Sequence, residues 1–188
     1  MIKLSHRVRR LVVRFVRDGS GNAAVEFAFV VPLMLTLFFG TVEFSSGVAV
    51  MRKVTLVART MSDLTSQSSS VTDNDLTNFT TTGKAIMNPY FSAQYASRVT
   101  QLYIDPTTKI GQVRWSKGFN GKAGMTGTMA VPTALQVGGS YVIYGEVDYK
   151  YVPAVGYVMA AAGVQMNQNT YTRPRQSTCV TYGNVQNC

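Results

Sequence analysis

Gly21-Asn22-Ala23-Ala24-Val25-Glu26-Phe27 runs without a break into the apolar stretch Ala28–Val42, and this segment decides the architecture. Ala23 to Val42 comprises 20 residues. As a helix rising roughly 1.5 Å per residue it spans about 30 Å, the thickness of a bilayer's hydrocarbon core. Its longest charge-free part, Phe27–Val42, is 16 residues, short for an ordinary span and long for a signal-peptide core. One carboxylate, Glu26, lies inside the segment. A charge at a membrane helix centre costs roughly 2.5 to 3.5 kcal/mol on insertion scales, so Glu26 calls for a functional explanation. Pro32 withholds an N–H from the Ala28 carbonyl, which predicts a helix kink about one turn beyond Glu26.

Working outward, the formal charge of +9 over 188 residues divides unevenly. Met1 to Gly21 hold Lys3, Arg7, Arg9, Arg10, Arg14 and Arg17 against Asp18, or +5. The remaining +4 is scattered without a cluster. A basic block beside an apolar run marks a cytoplasmic flank, so the N-terminus is expected inside and residues beyond about Ser45 outside. Arg52 and Lys53 weaken that asymmetry without reversing it. Leu11, Val12, Phe15 and Val16 share one helical face, which suits a leader lying on the membrane surface; a plain charged topogenic leader explains the same block. No basic stripe or binding motif follows, so nucleic acid is not an expected partner.

The apolar pattern continues past the membrane-length segment. Val50, Val54, Val57, Met61 and Leu64 recur at helical spacing, and no proline falls between Leu33 and Gly83. One helix from about Asn22 to Ser66 is predicted, with Gln67-Ser68-Ser69-Ser70 as its break. Thr72 with Asp75 forms a capping box in which Asp replaces the usual Glu or Gln, predicting a second helix over Asp73–Met87 that ends at Asn88-Pro89. Asp73-Asn74-Asp75 reads as helix-start chemistry, since the rest of a calcium loop is missing.

After Ser92 the pattern changes to strands. Ser97–Ile104 and Lys109–Lys117 flank the turn Asp105-Pro106-Thr107-Thr108. Phe119 to Thr126 reads as glycine-rich loop and Gly127–Val131 as a short strand. In Tyr141–Tyr151, Tyr141, Ile143, Val147, Tyr149 and Tyr151 share one face, with Tyr144, Glu146, Asp148 and Lys150 on the other. Val152–Val164 reads as a loop with a helical turn, followed by a strand near Thr170–Tyr182. The fold class expected is α+β: a long N-terminal membrane-spanning helix extending into a periplasmic domain with an antiparallel sheet. The division predicted is a basic cytoplasmic leader (1–21), a transmembrane helix (22–44), an extended periplasmic helix (45–70) and an α+β domain (71–188).

Catalysis finds no support. The sole histidine, His6, lies in the leader, so histidine-based triads and zinc sites have no basis in the exported part, and no metal or other cofactor is expected. Glu146 and Asp148 read as a solvated strand face rather than a glycosidase pair. Gly118, Gly121, Gly124 and Gly127 match no phosphate-loop spacing. The two cysteines, Cys179 and Cys188, enclose eight residues. A disulfide there in an oxidising compartment would contribute roughly 2 to 3 kcal/mol, the alternative being two free thiols in the tail.

Glu26 admits two readings. Its charge can snorkel to the interface near the helix start, or it can dock against a cation of a packed neighbour.

The run Gly21 to Ala28, with Pro32 shortly after, closely resembles the N-terminal signature of TadE-like proteins of the tight-adherence (Tad, or Flp) pilus system. Ala58-Arg59 with Asp63-Leu64 and Gln67, Ile86-Met87-Asn88-Pro89-Tyr90, Val113-Arg114-Trp115-Ser116, Glu146 to Tyr151 with Pro153, and Arg173-Pro174-Arg175 follow in the order this resemblance implies, so that it spans roughly Gly21 to Val180. It implies a membrane-anchored minor pseudopilin or assembly component with no catalysis of its own. Its partners would be other pilins and pseudopilins, the Tad inner-membrane machinery, a prepilin peptidase and membrane lipid. By position, Gly21 and Asn22 flank the peptidase cut, and Glu26 with Phe27 forms the assembly site. Phe27 stands where the system's major pilins usually carry tyrosine. The implied location is the bacterial inner membrane, N-terminus cytoplasmic and C-terminal domain periplasmic, with pilus association after processing. Two alternatives remain: an unprocessed N-in anchored scaffold of the secretion machine, or a secreted binding or enzymatic domain cut near Ser46.

Overall fold

The computed structural model describes residues 13–14, 21–90, 95–153, 163–183 and 188. Helix α1 (Gly21–Ser66) is continuous for 46 residues and contains Pro32. The chain divides into two compact units at Phe44/Ser45. In the first, the apolar side chains of α1 face outward, among them Phe29, Leu33, Leu37 and Phe38. Thr36 and Thr41 donate their hydroxyls to the carbonyls of Pro32 and Leu37, each at 2.8 Å. Both hydroxyls are thus paired within the helix.

The second unit builds a sheet against the remainder of α1. Short strand β1 (Ser70–Val71) leads into helix α2 (Asp73–Met87), followed by β2 (Tyr95–Ile104), β3 (Gly111–Phe119), β4 (Thr128–Met129), β5 (Tyr141–Tyr151), β6 (Val164–Thr172) and β7 (Thr181–Tyr182). The five-stranded sheet has the order β4-β3-β2-β5-β6 with every pairing antiparallel. A separate parallel pair joins β1 to β7. The architecture is α+β, as the sequence predicts.

Local chemistry sets the element ends. The capping box at α2 is formed: the Asp75 N–H donates to the Thr72 hydroxyl, and the Thr72 N–H donates to the Asp75 carboxylate at 2.9 Å. Hydrogen bonds from Thr72 hold the Asp75 carboxyl below the usual carboxylate range. At the β2–β3 hairpin Asp105 accepts from the backbone N–H groups of Thr107 and Thr108 at 2.9 and 2.8 Å. Lys109 then takes a left-handed φ of 60°, so β3 starts at Gly111 rather than at Lys109.

The core lies between α1, α2 and one sheet face. Val50, Val54, Val57 and Met61 of α1 meet Leu76 and Met87 of α2 and Val99, Trp115, Ile143 and Val147 of the sheet. Fully burying side chains of this size stabilises by about 1.5 to 3 kcal/mol each, before entropy losses. The helix seam departs from expectation at its end. Leu64 is only half-buried, while Thr65, Ser66 and Ser62 are buried. The Ser62 hydroxyl bonds that of Thr172 on β6, which explains a small polar residue there. A second cluster, Leu102, Ile104, Val131, Val142 and Tyr144, occupies the opposite sheet face.

Two readings of the C-terminal third change. The strand expected near Thr170–Tyr182 is in fact two, β6 and β7, interrupted at Arg173-Pro174 because proline supplies no ladder N–H. The loop with a helical turn expected over Val152–Val164 lies largely outside the described residues, and Val164 itself begins β6.

Candidate functional site

The candidate site is the start of α1. An ideal Cβ on Gly21 has no neighbour within 4 Å among the described residues. Asn22 and Glu26 are one helical turn apart, and the Asn22 amide reaches Glu26 Oε1 at 3.4 Å, a long contact. Glu26 is exposed and, among the described residues, joins no ion pair. Phe27 is 70% exposed beside it. The helix has no acidic residue in its first turn, and the pull of the helix dipole fades beyond that turn. What the segment offers is a carboxylate and an aromatic ring, adjacent and uncovered, on an apolar helix.

Gly21, Asn22, Glu26, Phe27 and Pro32 belong to the first unit, and Cys179 and Cys188 to the second. The two cysteines are bonded, with Cα atoms 5.9 Å apart.

The polar face of the sheet holds a constellation that differs from expectation. Glu146 and Asp148 are not a solvated face. Arg98 Nη2 lies 2.5 Å and Lys122 Nζ 2.8 Å from the Glu146 carboxylate, and Lys122 also pairs with Asp148. Asn167 donates to Asp148 at 2.9 Å. The side chains of this four-charge network are only 12 to 22% exposed. Burial pushes the Glu146 carboxyl up, but the hydrogen bonds and charges of Lys122 and Arg98 outweigh it and hold the group below its ordinary range. The loop bearing Lys122 folds over this face because Gly118 has no side chain: a Cβ there would collide with the Lys122 carbonyl. Two cations neutralise two carboxylates, so the cluster fastens a loop. It presents neither a nucleophile nor a free acid–base pair, and no group of metal-ligating side chains occurs among the described residues. Sequence reasoning assigned the two carboxylates to the correct face but did not identify Lys122 as their cover.

Among the described residues α1 is the one helix long and apolar enough to cross a membrane. Together with the α+β unit that follows it in the chain, it fits a single-pass membrane protein. Residues 21–61 match the family model described as TadE-like protein. The match covers the candidate site and most of α1, and such a TadE-like segment suggests involvement in Tad pilus assembly. The later motifs, from Ile86 to Arg175, lie outside the matched range. No curated protein and no solved structure matches the chain.

Proposed function

We propose that the chain is a membrane-anchored minor pseudopilin or assembly component of a Tad (Flp, type IV-like) pilus, acting through helix packing and protein contacts. The N-terminus is cytoplasmic and the α+β domain periplasmic, as the basic leader favours. A prepilin peptidase hydrolyses the Gly21–Asn22 bond, and Asn22 gains a free ammonium group. Glu26, one turn deeper, then pairs with the ammonium of a neighbouring subunit. The pairing offsets the desolvation of both charges and sets the register between packed helices. Phe27 packs at the same contact, and Pro32 loosens the helix just beyond it.

The observation that carries this reading is Glu26 itself, exposed on an apolar helix without an ion-pair partner among the described residues. Glu26→Ala tests it. The variant should remain in the membrane fraction at the wild-type level while surface pili fall by about tenfold or more, the loss expected when one charge partner goes missing. Normal piliation would remove the intersubunit role.

A further inference from the structure

The segment Arg175–Gly183 packs against both helices and the sheet of the second unit. The Arg175 N–H donates to the carbonyl of Ser66 at the end of α1, at 2.8 Å, and its guanidinium pairs with Asp63 at 2.6 Å. Val180 is fully buried. Its N–H donates to Gln101 Oε1 at 2.6 Å, and its carbonyl accepts from Trp115 Nε1 at 2.8 Å. The N–H groups of Thr181 and Gly183 bond the carbonyls of Ser69 and Val71 at 3.1 and 2.9 Å. Tyr182 stacks on Trp115 with ring centroids 5.4 Å apart, and its hydroxyl donates to Asp73. Strand β7 thus sits inside the ring closed by Cys179 and Cys188.

We propose that the Cys179–Cys188 bond is a redox-set clasp: its formation seats the strap Arg175–Gly183 between α1, α2 and the sheet, and its reduction releases the strap from an otherwise intact domain. The ring restricts the undocked strap, and losing a closure this small shifts the docked-to-undocked ratio by on the order of a hundredfold. Gln101 is fully buried, and its Nε2 has no partner among the described residues. Release of Val180 therefore unpairs the rest of that amide and draws water towards Trp115.

The step balances as thiol–disulfide exchange with a disulfide-bearing oxidant. Cys188 is exposed and Cys179 buried, so the Cys188 thiolate attacks the oxidant first, forming a mixed disulfide and expelling one oxidant thiolate. The Cys179 thiolate then attacks Cys188 Sγ and expels the second. The chain loses two electrons and two protons, and the oxidant's two sulfurs leave as thiols, as two glutathione molecules when glutathione disulfide is the oxidant.

Trp115 is the only tryptophan, so its emission reports the strap directly. The full chain, folded and oxidised in detergent micelles, is compared with the same sample reduced by dithiothreitol, with thiols counted, and then reoxidised with glutathione disulfide. On reduction, acrylamide quenching of Trp115 should rise by about threefold and tryptic cleavage after Arg175 by about tenfold or more, as expected when local opening governs access. Far-UV circular dichroism should hold, and reoxidation should reverse both changes. Cys188→Ser should behave as the reduced chain without added reductant. Unchanged quenching and cleavage in a fully reduced sample would overturn the clasp. So would a collapse of the circular dichroism together with them, because the strap would then not move separately from the core.

Discussion

An ideal Cβ on Gly145 of β5 would lie 2.9 Å from the Ala58 carbonyl oxygen and 2.9 Å from Ser62 Cβ on α1. Both neighbours belong to a helix packed across its buried face, so neither can yield cheaply. Gly145→Val should destabilise the domain by about 2 kcal/mol or more through overpacking. In thermal unfolding of the full chain in micelles this corresponds to a midpoint lowered by about 5 °C or more. An unchanged midpoint would mean that α1 and β5 are not in this close contact.

Lys122 bridges Glu146 and Asp148, and its removal leaves Glu146 with Arg98 and Asp148 with only the neutral Asn167 amide among the described partners. Breaking a buried pair from one side costs roughly 3 to 5 kcal/mol, and the partial solvent access here lowers that to about 2. Lys122→Met should therefore unfold at lower denaturant and open the loop around Gly121 to proteases. Lys122→Arg should recover part of the loss. Equal stability of the methionine variant and the wild type would show the network to be incidental.

The same network sets an acid response. The Glu146 carboxyl is held below its ordinary value of 4.5 in the folded chain. Its contribution is therefore fully present above about pH 4.5 and is lost as pH falls through the lower folded value. Denaturant titrations should show stability declining below that point, and Glu146→Gln should flatten this part of the profile while lowering stability at pH 7. A decline unaltered in the variant would assign the acid response to other carboxylates.

At α2 the capping box predicts that Thr72→Ala costs about 1 kcal/mol, with Thr72→Ser nearly neutral. Equilibrium unfolding of the two variants side by side measures the difference. Equal losses for both would point to the Thr72 methyl group rather than to the cap.

Helix α1 was legible because its apolar spacing persists from Val25 to Met61 without a break, and α2 because Thr72 and Asp75 announce its start. The alternation in β5 was strong enough to assign both faces. Strand β6 was not legible. Val164-Gln165-Met166-Asn167-Gln168-Asn169 has little apolar alternation because β6 is an edge strand whose Gln165, Asn167 and Asn169 face solvent. Nor could two-residue strands such as β1 and β7 be read from local pattern, since their pairing follows from the tertiary seat of Val180. Lys122 was missed for a related reason. Which loop covers a polar sheet face depends on chain reversal at Gly118–Gly121, and spacing does not encode that. At the candidate site, the type and position of Glu26 were plain from sequence alone; its exposure and its long contact to Asn22 came only with the structure.

In the proposed function this chain works as a processed pseudopilin whose Asn22 ammonium and Glu26 carboxylate meet across packed helices. Intact-mass and N-terminal analysis of the protein recovered from membranes of cells carrying the Tad machinery tests it most directly. A mature chain beginning at Asn22, seen only when the prepilin peptidase is present, is the predicted result. A chain still beginning at Met1 in those cells would contradict the account and favour a permanently anchored scaffold.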